Sequence, residues 1–414
     1  MKKLLQSMRR GSAMPLSMVA VMILLALGVA LMSLGMKRRI YAMRMTSDIT
    51  ARCAADAGLT LALFEMNEKL QVKPWNDSTL PQATDISLPY CDNQVCSYTV
   101  TGDLGGGYTI TSIGESGHAI RGVRATIELH GLFDHAILTR DNLILKSGTL
   151  IDGYNSLDPL DTDTDVDIGT QSILDSSIIL NMGVIVDGDV VVGVGGNPNT
   201  VIQDLGATTT GSHYAGMEQE LLPQIVPPTD LFDMHSDISV QGQTAALTPA
   251  DNGQYSLISL KQETVPAILE ISGGDVVLHI TGDIQLGQSC EIIVKDGSTL
   301  TLYVDGNIHC RESSGINPDI PSQEANTLHV YATGQGVQLF DLKAKSQWTG
   351  VVYAPNAEIT LYASGDAYGA VVAKKFEFKA GGNYHYDEAL RNIDMDDEGV
   401  RFVIKRWEEF DPDL

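Results

Sequence analysis

The apolar positions of this chain change their period at about residue 70. Residues 12–36 contain no charged side chain, and 25 such residues are enough to cross about 30 Å of hydrocarbon as a helix. Over residues 37–70 the apolar positions recur close to helical spacing, and the first helix-breaking residue is Pro74. The pattern predicts one nearly continuous helix over residues 12–70, of which only the first half is apolar enough for lipid. The apolar run exceeds the roughly 7–15 residues of a secretory signal peptide, so we expect it to stay on the protein as a membrane anchor.

From about residue 97 onward the pattern is that of strands. Residues 108–113 and 121–129 alternate between apolar and polar positions, as half-buried strands do. Short Val/Ile-rich segments bounded by Gly then recur, for example at 188–193 and 282–287. Forty Gly against eight Phe and three Trp suit thin stacked coils. The sequence therefore predicts an α+β chain whose mainly β part is a parallel β-helix or related solenoid, with a β-sandwich as the alternative.

These patterns divide the chain into five predicted segments. They are a leader at 1–11, a transmembrane and amphipathic helix at 12–70, a linker with a small β subdomain at 71–130, a β-solenoid-like domain at 131–392 and an acidic C-terminal cap at 393–414. Four prolines and polar spacers near 205–255 predict a long surface insertion or a hinge within the solenoid. Residues 401–410 fit an edge strand or a short helix that covers the solenoid end.

The charge distribution is strongly asymmetric. The chain has 27 basic and 52 acidic residues, a net charge of −25, yet its first 44 residues hold eight basic residues and no acidic one. The remainder is therefore strongly acidic and repels nucleic acid, so we expect no DNA or RNA binding by the main body. Four basic residues stand on each side of the apolar run, which leaves the positive-inside rule undecided.

Five cysteines fit an oxidising compartment. Cys91 and Cys96 flank an Asp-Asn turn, and their spacing predicts a hairpin closed by a disulfide. A zinc site is disfavoured because no second Cys pair or His pair stands at metal-ligand spacing. Cys290 and Cys310 are a weaker candidate pair. Cys53, on the predicted helix, is interpreted as a small packing residue.

A cluster of carboxylates raises the question of calcium binding. Alternating Asp residues are how calcium loops collect oxygen ligands. The candidates here are Asp158, Asp161, Asp163, Asp165 and Asp167. The Gly and Glu positions of an EF-hand loop are not matched, and the glycine-rich nonapeptide calcium repeat is absent. We interpret the stretch as a solvated acidic loop and keep calcium as the alternative.

The sequence offers little for catalysis. His385 stands two residues before Asp387, on the same side of a strand, and is interpreted as a hydrogen-bonded structural histidine. No Gly-x-Ser-x-Gly, His-Glu-x-x-His or P-loop motif occurs. We expect no enzyme and no cofactor. Because parallel β-helices also host polysaccharide lyases and hydrolases, a tethered carbohydrate-active enzyme is kept as an alternative.

Two N-terminal stretches resemble PilX-type type IV pilus assembly proteins, over about residues 8–68. Residues 10–16 read RGSAMPL before the apolar run, and residues 51–59 read ARCAADAGL after it. The resemblance implies that a prepilin peptidase cuts after Gly11 and leaves Ser12 as the new N-terminus. Leu16 departs from the Glu that major pilins carry five residues into the mature chain, a residue that PilX-like and some minor pilin-like proteins also lack.

The C-terminal part carries a second resemblance, over about residues 130–392. Its stretches are residues 348–357 (WTGVVYAPNA), 366–373 (DAYGAVVA) and 384–390 (YHYDEAL). They resemble the terminal signature of an uncharacterised β-domain that is attached to PilX-like N-termini in bacterial surface proteins. Nothing known of that family implies an activity.

Together, these features predict a membrane-anchored, pilin-like protein of type IV pilus or pseudopilus assembly that displays a β-rich domain for adhesion or scaffolding. The expected partners are the membrane, other pilin-like subunits, a prepilin peptidase, and surface glycans or other cells. We expect a single-pass protein of the bacterial inner membrane, with a cytoplasmic N-terminus and an extracytoplasmic body, or a location in a pilus or at the cell surface. A membrane-anchored β-scaffold that never enters a filament is the alternative.

We expect Cys91 and Cys96 to form a disulfide in protein isolated from the cell envelope. The turn between them can bring the two Cα atoms within the roughly 4.4–6.8 Å that a disulfide needs. So short a loop removes little chain entropy, and its stabilisation should fall below the roughly 3 kcal/mol of a loop of about 15 residues. Non-reducing peptide mapping measures the pairing, and two free thiols would contradict it.

Overall fold

The chain forms two compact units, which confirm the α+β prediction of a long N-terminal helix followed by a large, mainly β domain. The first unit comprises Met1–Leu129 and Arg401–Leu414, and the second comprises His130–Val400. The computed structural model describes residues 13–89, 94–103, 105–158, 160, 164, 166–217, 219, 221–318, 320, 322–344, 347–363, 365–379, 382–395 and 397–412.

The first unit is built on one helix of 58 residues, Ala13–Leu70. Pro15 lies in its first turn, where a missing N–H leaves no intrahelical bond unmade, and the helix ends before Pro74. A short 3₁₀ turn, Asp77–Thr79, follows. Apart from Ala54, which adjoins Ala55, the buried side chains of the second half recur three or four residues apart, as one helix face requires. They are Ala51, Ala54, Ala55, Leu59, Ala62, Met66 and Leu70.

This helix face packs on a five-stranded sheet. In spatial order the strands are Gln82–Ser87, Gln94–Asp103, Gly107–Ser116, Ala119–His130 and Arg401–Phe410. The first four pair antiparallel with their neighbours in sequence. The last strand comes from the far end of the chain.

The C-terminal strand corrects the predicted cap at 393–414. Residues 401–410 form an edge strand, one of the two alternatives expected for them, but in the sheet of the first unit. The physical reason is the ring of Phe402, which is buried with its centroid 5.7 Å from Trp75 and 5.3 Å from Tyr108. This aromatic cluster holds the strand beside the helix.

The second unit is a solenoid of parallel strands, not a sandwich. Its coils carry three sets of parallel strands, which we call faces A, B and C. Face A holds Ile178–Leu180, Ile202–Asp204, Ile238–Gln241, Ile258–Lys261, Ile284–Leu286, Ile308–Cys310 and Gln338–Ala344. Face B holds Asp167–Thr170, Asp189–Val192, His213–Ala215, Gly253–Tyr255, Asp275–Ile280, Thr299–Val304 and Leu328–Ala332. Face C holds Leu150–Tyr154, Ile185–Val186, Thr208–Thr209, Thr244–Leu247, Ile268–Ile271, Glu291–Val294, Gly315–Ile316 and Asn383–Asp387.

Three longer strands bend from face B to face A, and the last two of them begin in register with Asn383–Asp387 of face C. They are Ile137–Leu145, Trp348–Ala363 and Ala367–Lys379. The corners carry a one-turn helix at Pro198–Val201 and 3₁₀ turns at Pro249–Asp251, Ala325–Thr327 and Glu388–Arg391.

One buried apolar residue from each coil stands in register on face A and gives the order of the coils. From one end to the other the column reads Ile238, Ile258, Ile284, Ile308, Phe340, Ile359, Phe376, Leu143, Ile178 and Ile202. Each such burial contributes about 1.5–3 kcal/mol relative to exposure. The chain thus enters the stack in its middle, builds outward to Ile202, crosses to the far end, and returns coil by coil until Phe376 lies beside Leu143.

The crossing segment replaces the insertion that the sequence placed near 205–255. Residues at both ends of that range form strands of the end coils, and between Ala215 and Ile238 the described residues pair only once, Asp233 with Gln254. Prolines in this stretch cannot donate to a ladder. The segment is packed, since Ile225 is buried and the carbonyl of Pro223 accepts a hydrogen bond from the Tyr353 hydroxyl at 2.7 Å. It is therefore a crossover along the solenoid and not a hinge between lobes.

A histidine on face B makes the stability of the second unit sensitive to acid. His329 lies between Thr301 and Val351 of the neighbouring coils, and its ring stacks on Tyr331 with centroids 6.1 Å apart. Burial lowers the pKa of His329 to about 4. The unfolded chain, with a pKa of about 6.5, takes up this proton at a higher pH than the folded chain does.

We expect the free energy of unfolding of the second unit to decrease as the pH falls from about 6.5 to about 4, by up to about 3 kcal/mol through His329. His329→Gln removes the titrating group and should flatten this decrease. His235→Gln, at an exposed position of the crossing segment, is the control and should leave it unchanged. Denaturant unfolding at several pH values measures the effect, and equal slopes in all three proteins would contradict the assignment.

Candidate functional site

The first half of the long helix is the principal candidate site. Its large apolar side chains from Met14 to Met45 are 49–85% exposed. In the described part of the chain, one helix is long and apolar enough to cross a membrane, and its candidate span lies within Leu16–Leu70. A continuous apolar surface of this size marks contact with lipid or with other protein. Leu16 itself is 74% exposed, whereas Gly11 and Ser12 lie outside the described residues.

The second half of the helix lies unusually close to its sheet. A Cβ on Gly114 would fall well under 3.0 Å from the carbonyl oxygen of Ala51 and the backbone nitrogen of Ala55. A Cβ on Gly58 would likewise meet the Ser112 hydroxyl. At Gly114 the sheet backbone therefore packs directly on the helix backbone, which a residue with a Cβ would prevent. This contact explains the small residues of the ARCAADAGL stretch.

Polar contacts hold the edges of this helix–sheet contact. Arg52 forms an ion pair with Glu409 of the last strand, and its guanidinium lies 5.6 Å from the Trp407 ring centroid. Burial raises the pKa of the neighbouring Asp56 carboxyl, while the charge of Arg52 opposes that rise. The Tyr98 hydroxyl donates to Glu65 at 2.7 Å. The ARCAADAGL stretch thus contributes an ion pair to the C-terminal strand in addition to close packing. No signal in the sequence pointed to this ion pair.

A second candidate site surrounds His385 on face C. Its Nδ1 is hydrogen-bonded to the carboxylate of Asp152, and its Nε2 lies 3.8 Å from Asp366 Oδ1. The Tyr368 ring stacks on the imidazole with centroids 4.7 Å apart. Both ring nitrogens therefore face carboxylates, and the cluster ties the last coil to the first.

The structure corrects the partner of His385. Asp387, the carboxylate next to it in sequence, is buried and accepts hydrogen bonds from the backbone N–H groups of Ser156, Ala325 and Ala389 at 3.0, 3.3 and 3.1 Å. The partner comes from the neighbouring coil because parallel stacking places His385 in register with Asp152. A single sequence gives no signal for this pairing.

The phenols around this cluster are held neutral. Burial raises the pKa of Tyr154 and of Tyr384. The Tyr154 hydroxyl donates to the carbonyl of Gln323, and its ring meets Tyr368 edge-on at 5.4 Å. The arrangement is that of a buried polar network that fixes the junction of the coils.

The calcium candidates lie mostly outside the described residues, which do not include Asp161, Asp163 or Asp165. Asp167 begins a strand of face B, and its carboxylate lies 4.0 Å from His135 Nδ1. The described residues contain no group of three His, Cys, Asp or Glu side chains that could hold a metal ion. Calcium binding by the loop stays a hypothesis.

The cysteines fall into three environments. Cys96 is buried against Gly58, and burial raises the pKa of its thiol, but Cys91 lies outside the described residues, so their pairing stays a prediction. Cys290 and Cys310 are both buried free thiols, because the register places Cys310 beside Leu286. The weaker pairing is therefore not formed. Cys53 is exposed, so its interpretation as a packing residue is wrong. The buried face of the helix includes Ala51 and Ala54 but not Cys53.

Comparison with known proteins gives one family match. A family model described as a domain of unknown function (DUF7305) matches residues 228–393, the coils that return from the far end of the stack. No curated protein matches the sequence.

Two solved structures are weakly similar to the chain. The competence-associated pilin ComZ from Thermus thermophilus is 14% identical, with 88% of this chain and 98% of that chain covered and a TM-score of 0.24. A glycosylated ice-binding protein from an Arctic yeast is 14% identical, with 61% and 90% covered and a TM-score of 0.28. Likenesses of this size transfer neither an architecture nor a function.

We expect Gly114→Val to destabilise the first unit by about 3 kcal/mol, because backbone atoms of the helix cannot yield to the new side chain. Gly105→Ala is the matched control, since its Cβ would meet nothing closer than Asp103 Oδ1 at 3.6 Å. Thermal unfolding of the full chain, followed by circular dichroism of the helix, measures the difference. Equal melting of the two variants would refute the close helix–sheet contact.

Proposed function

We propose that this chain is a membrane-anchored, pilin-like protein that carries a β-solenoid outside the cytoplasmic membrane for adhesion or scaffolding. The observation that carries the proposal is the division of one continuous helix into two halves. Large apolar side chains are exposed from Met14 to Met45, whereas from Ala51 one face is buried on an antiparallel sheet. A helix of this kind can stay in lipid until copies of it pack side by side.

The proposed orientation rests on the resemblance to PilX-type proteins and on the size and acidity of the C-terminal part, since four basic residues stand on each side of the apolar run. We place the N-terminus in the cytoplasm and the body outside, with other pilin-like subunits and a prepilin peptidase as partners. The acidic body is expected to avoid nucleic acid.

The proposal assigns display and not catalysis. The candidate histidine His385 has a carboxylate near each ring nitrogen, Asp152 at Nδ1 and Asp366 at Nε2. These contacts tie neighbouring coils and favour a structural role over proton transfer to a substrate.

A scaffold that stays in the membrane without entering a filament is the second candidate. Leu16 favours it, because an apolar side chain stands where major pilins carry a Glu. Mechanical shearing of cells separates the two candidates. Recovery of the protein with sheared filaments supports pilus incorporation, and complete retention in the membrane fraction supports the scaffold.

We expect the protein produced with a prepilin peptidase to begin at Ser12. Gly11→Val should block the cut and leave membrane insertion intact, because the apolar run is unchanged. Gly28→Val is the matched control, since its Cβ would meet nothing within 4 Å, and it should be both cut and inserted. N-terminal sequencing of the membrane fraction is the measurement. A chain that still begins at Met1 beside an active peptidase would overturn the pilin assignment.

A further inference from the structure

A polar groove crosses three coils of the solenoid on face A. Its cavity is about 640 Å³, and its floor is the in-register column Ser259, Gln285 and His309. Two residues further along each coil, on the same side, stand Lys261, Gly287 and Arg311. These two short columns shape the groove.

Gly287 leaves the gap between the two cations. Lys261 and Arg311 belong to coils on either side of it and are about 9–10 Å apart along the stack, two strand spacings. Gly287 has no side chain to fill this gap, and a Cβ there would come within 2.9 Å of the Leu260 carbonyl oxygen. A cavity of this length accommodates a sugar ring with an anionic group at either end.

Among the described residues the two cations have no acidic ion-pair partner, unlike several other lysines of the solenoid. Lys295 lies 2.8 Å from Glu270, and Lys375 lies 3.0 Å from Glu358, each pair on adjacent coils. Lys261 and Arg311 are exposed and form no ion pair within the described residues. The groove lining, all of it described, contains these two cations and no carboxylate. In so acidic a protein, this is a local site for negative charge.

We propose that the face A groove binds an anionic polysaccharide, with Lys261 and Arg311 each holding a carboxylate or sulfate group. Gln262, Gln285 and Gln288 supply amide donors and acceptors for the hydroxyl groups of the sugar. The inference rests on the proposed display function and names the class of ligand that the displayed domain takes.

Nucleic acid fits the groove less well. Its lining includes no Phe, Tyr or Trp on which a base could stack. The groove therefore offers amides and cations, which suit an anionic saccharide, and no stacking surface for a base.

Binding is tested with the full chain in nanodiscs of zwitterionic lipid, by biolayer interferometry. The probes are polygalacturonate for carboxylates, dextran sulfate for sulfates, uncharged dextran and single-stranded DNA. We expect at least one acidic polysaccharide to bind, more weakly as salt is raised, and dextran not to bind. The stronger of the two acidic probes identifies the anionic group.

The double variant Lys261→Gln/Arg311→Gln should weaken binding at least tenfold, because hydrogen bonds to charged groups contribute about 1.5–3 kcal/mol each and 1.4 kcal/mol is tenfold. Lys295→Gln/Lys375→Gln changes the net charge equally and should alter binding less than twofold. Arg311→Lys in the wild-type background should retain most of the affinity. These surface changes leave the core intact, which circular dichroism checks.

Several results would overturn the proposal. They are binding of dextran as strong as that of dextran sulfate, absence of binding by both acidic polysaccharides, equal losses in the two double variants, and tighter binding of single-stranded DNA. Failure of the display function is distinguishable, because N-terminal processing and membrane insertion are measured on the same protein and do not depend on the groove.

Discussion

The solenoid depends on the pairing of its first coil with its last. Residues 142–145 lie in register beside residues 375–378 on face A, and Ile151 lies beside Tyr384 on face C. Without this contact the apolar column of face A would break between Leu143 and Phe376, and two half-stacks would each expose an open end. The His385–Asp152 hydrogen bond spans the same junction. Because the partners are more than two hundred residues apart in sequence, this step is entropically demanding and slows folding.

The first unit is closed in the same manner. Its fifth strand comes from the C-terminus, and it is held by Phe402 in the aromatic cluster and by Arg52 on the helix. Each unit therefore completes its structure only after almost all of the chain has been made. The polar groove and the apolar half of the helix do not depend on such distant contacts. The groove is built from three consecutive coils, and the helix is one continuous segment.

The sequence was informative wherever the signal was local. The apolar run and the absence of proline predict the helix, and the alternation of Val and Ile with Gly predicts parallel coils. The order of the coils could not be predicted, because Leu143, Ile178 and Ile258 occupy equivalent positions and any of them could stack on another. The partner of His385 depends on that order, and the gap at Gly287 depends on the register of consecutive coils, so neither could be read from the sequence. The ARCAADAGL stretch was visible as a motif. Its small residues are explained by their close contact with Gly114, which belongs to a strand and is distant in sequence.

The connectivity between the units has a mechanical consequence. Two chain connections join them, one after Leu129 and one before Arg401, and these lead into neighbouring strands of a single sheet. A pull on the solenoid is therefore shared by two covalent paths, whereas a domain attached by one tether carries all of the load through it. Within the solenoid the same two paths start at the first and last coils, which are paired with each other. If the solenoid is bound to a surface, a force on it would pass through the paired first and last coils. The coils at the two ends of the stack would carry only the force that their own ligands exert.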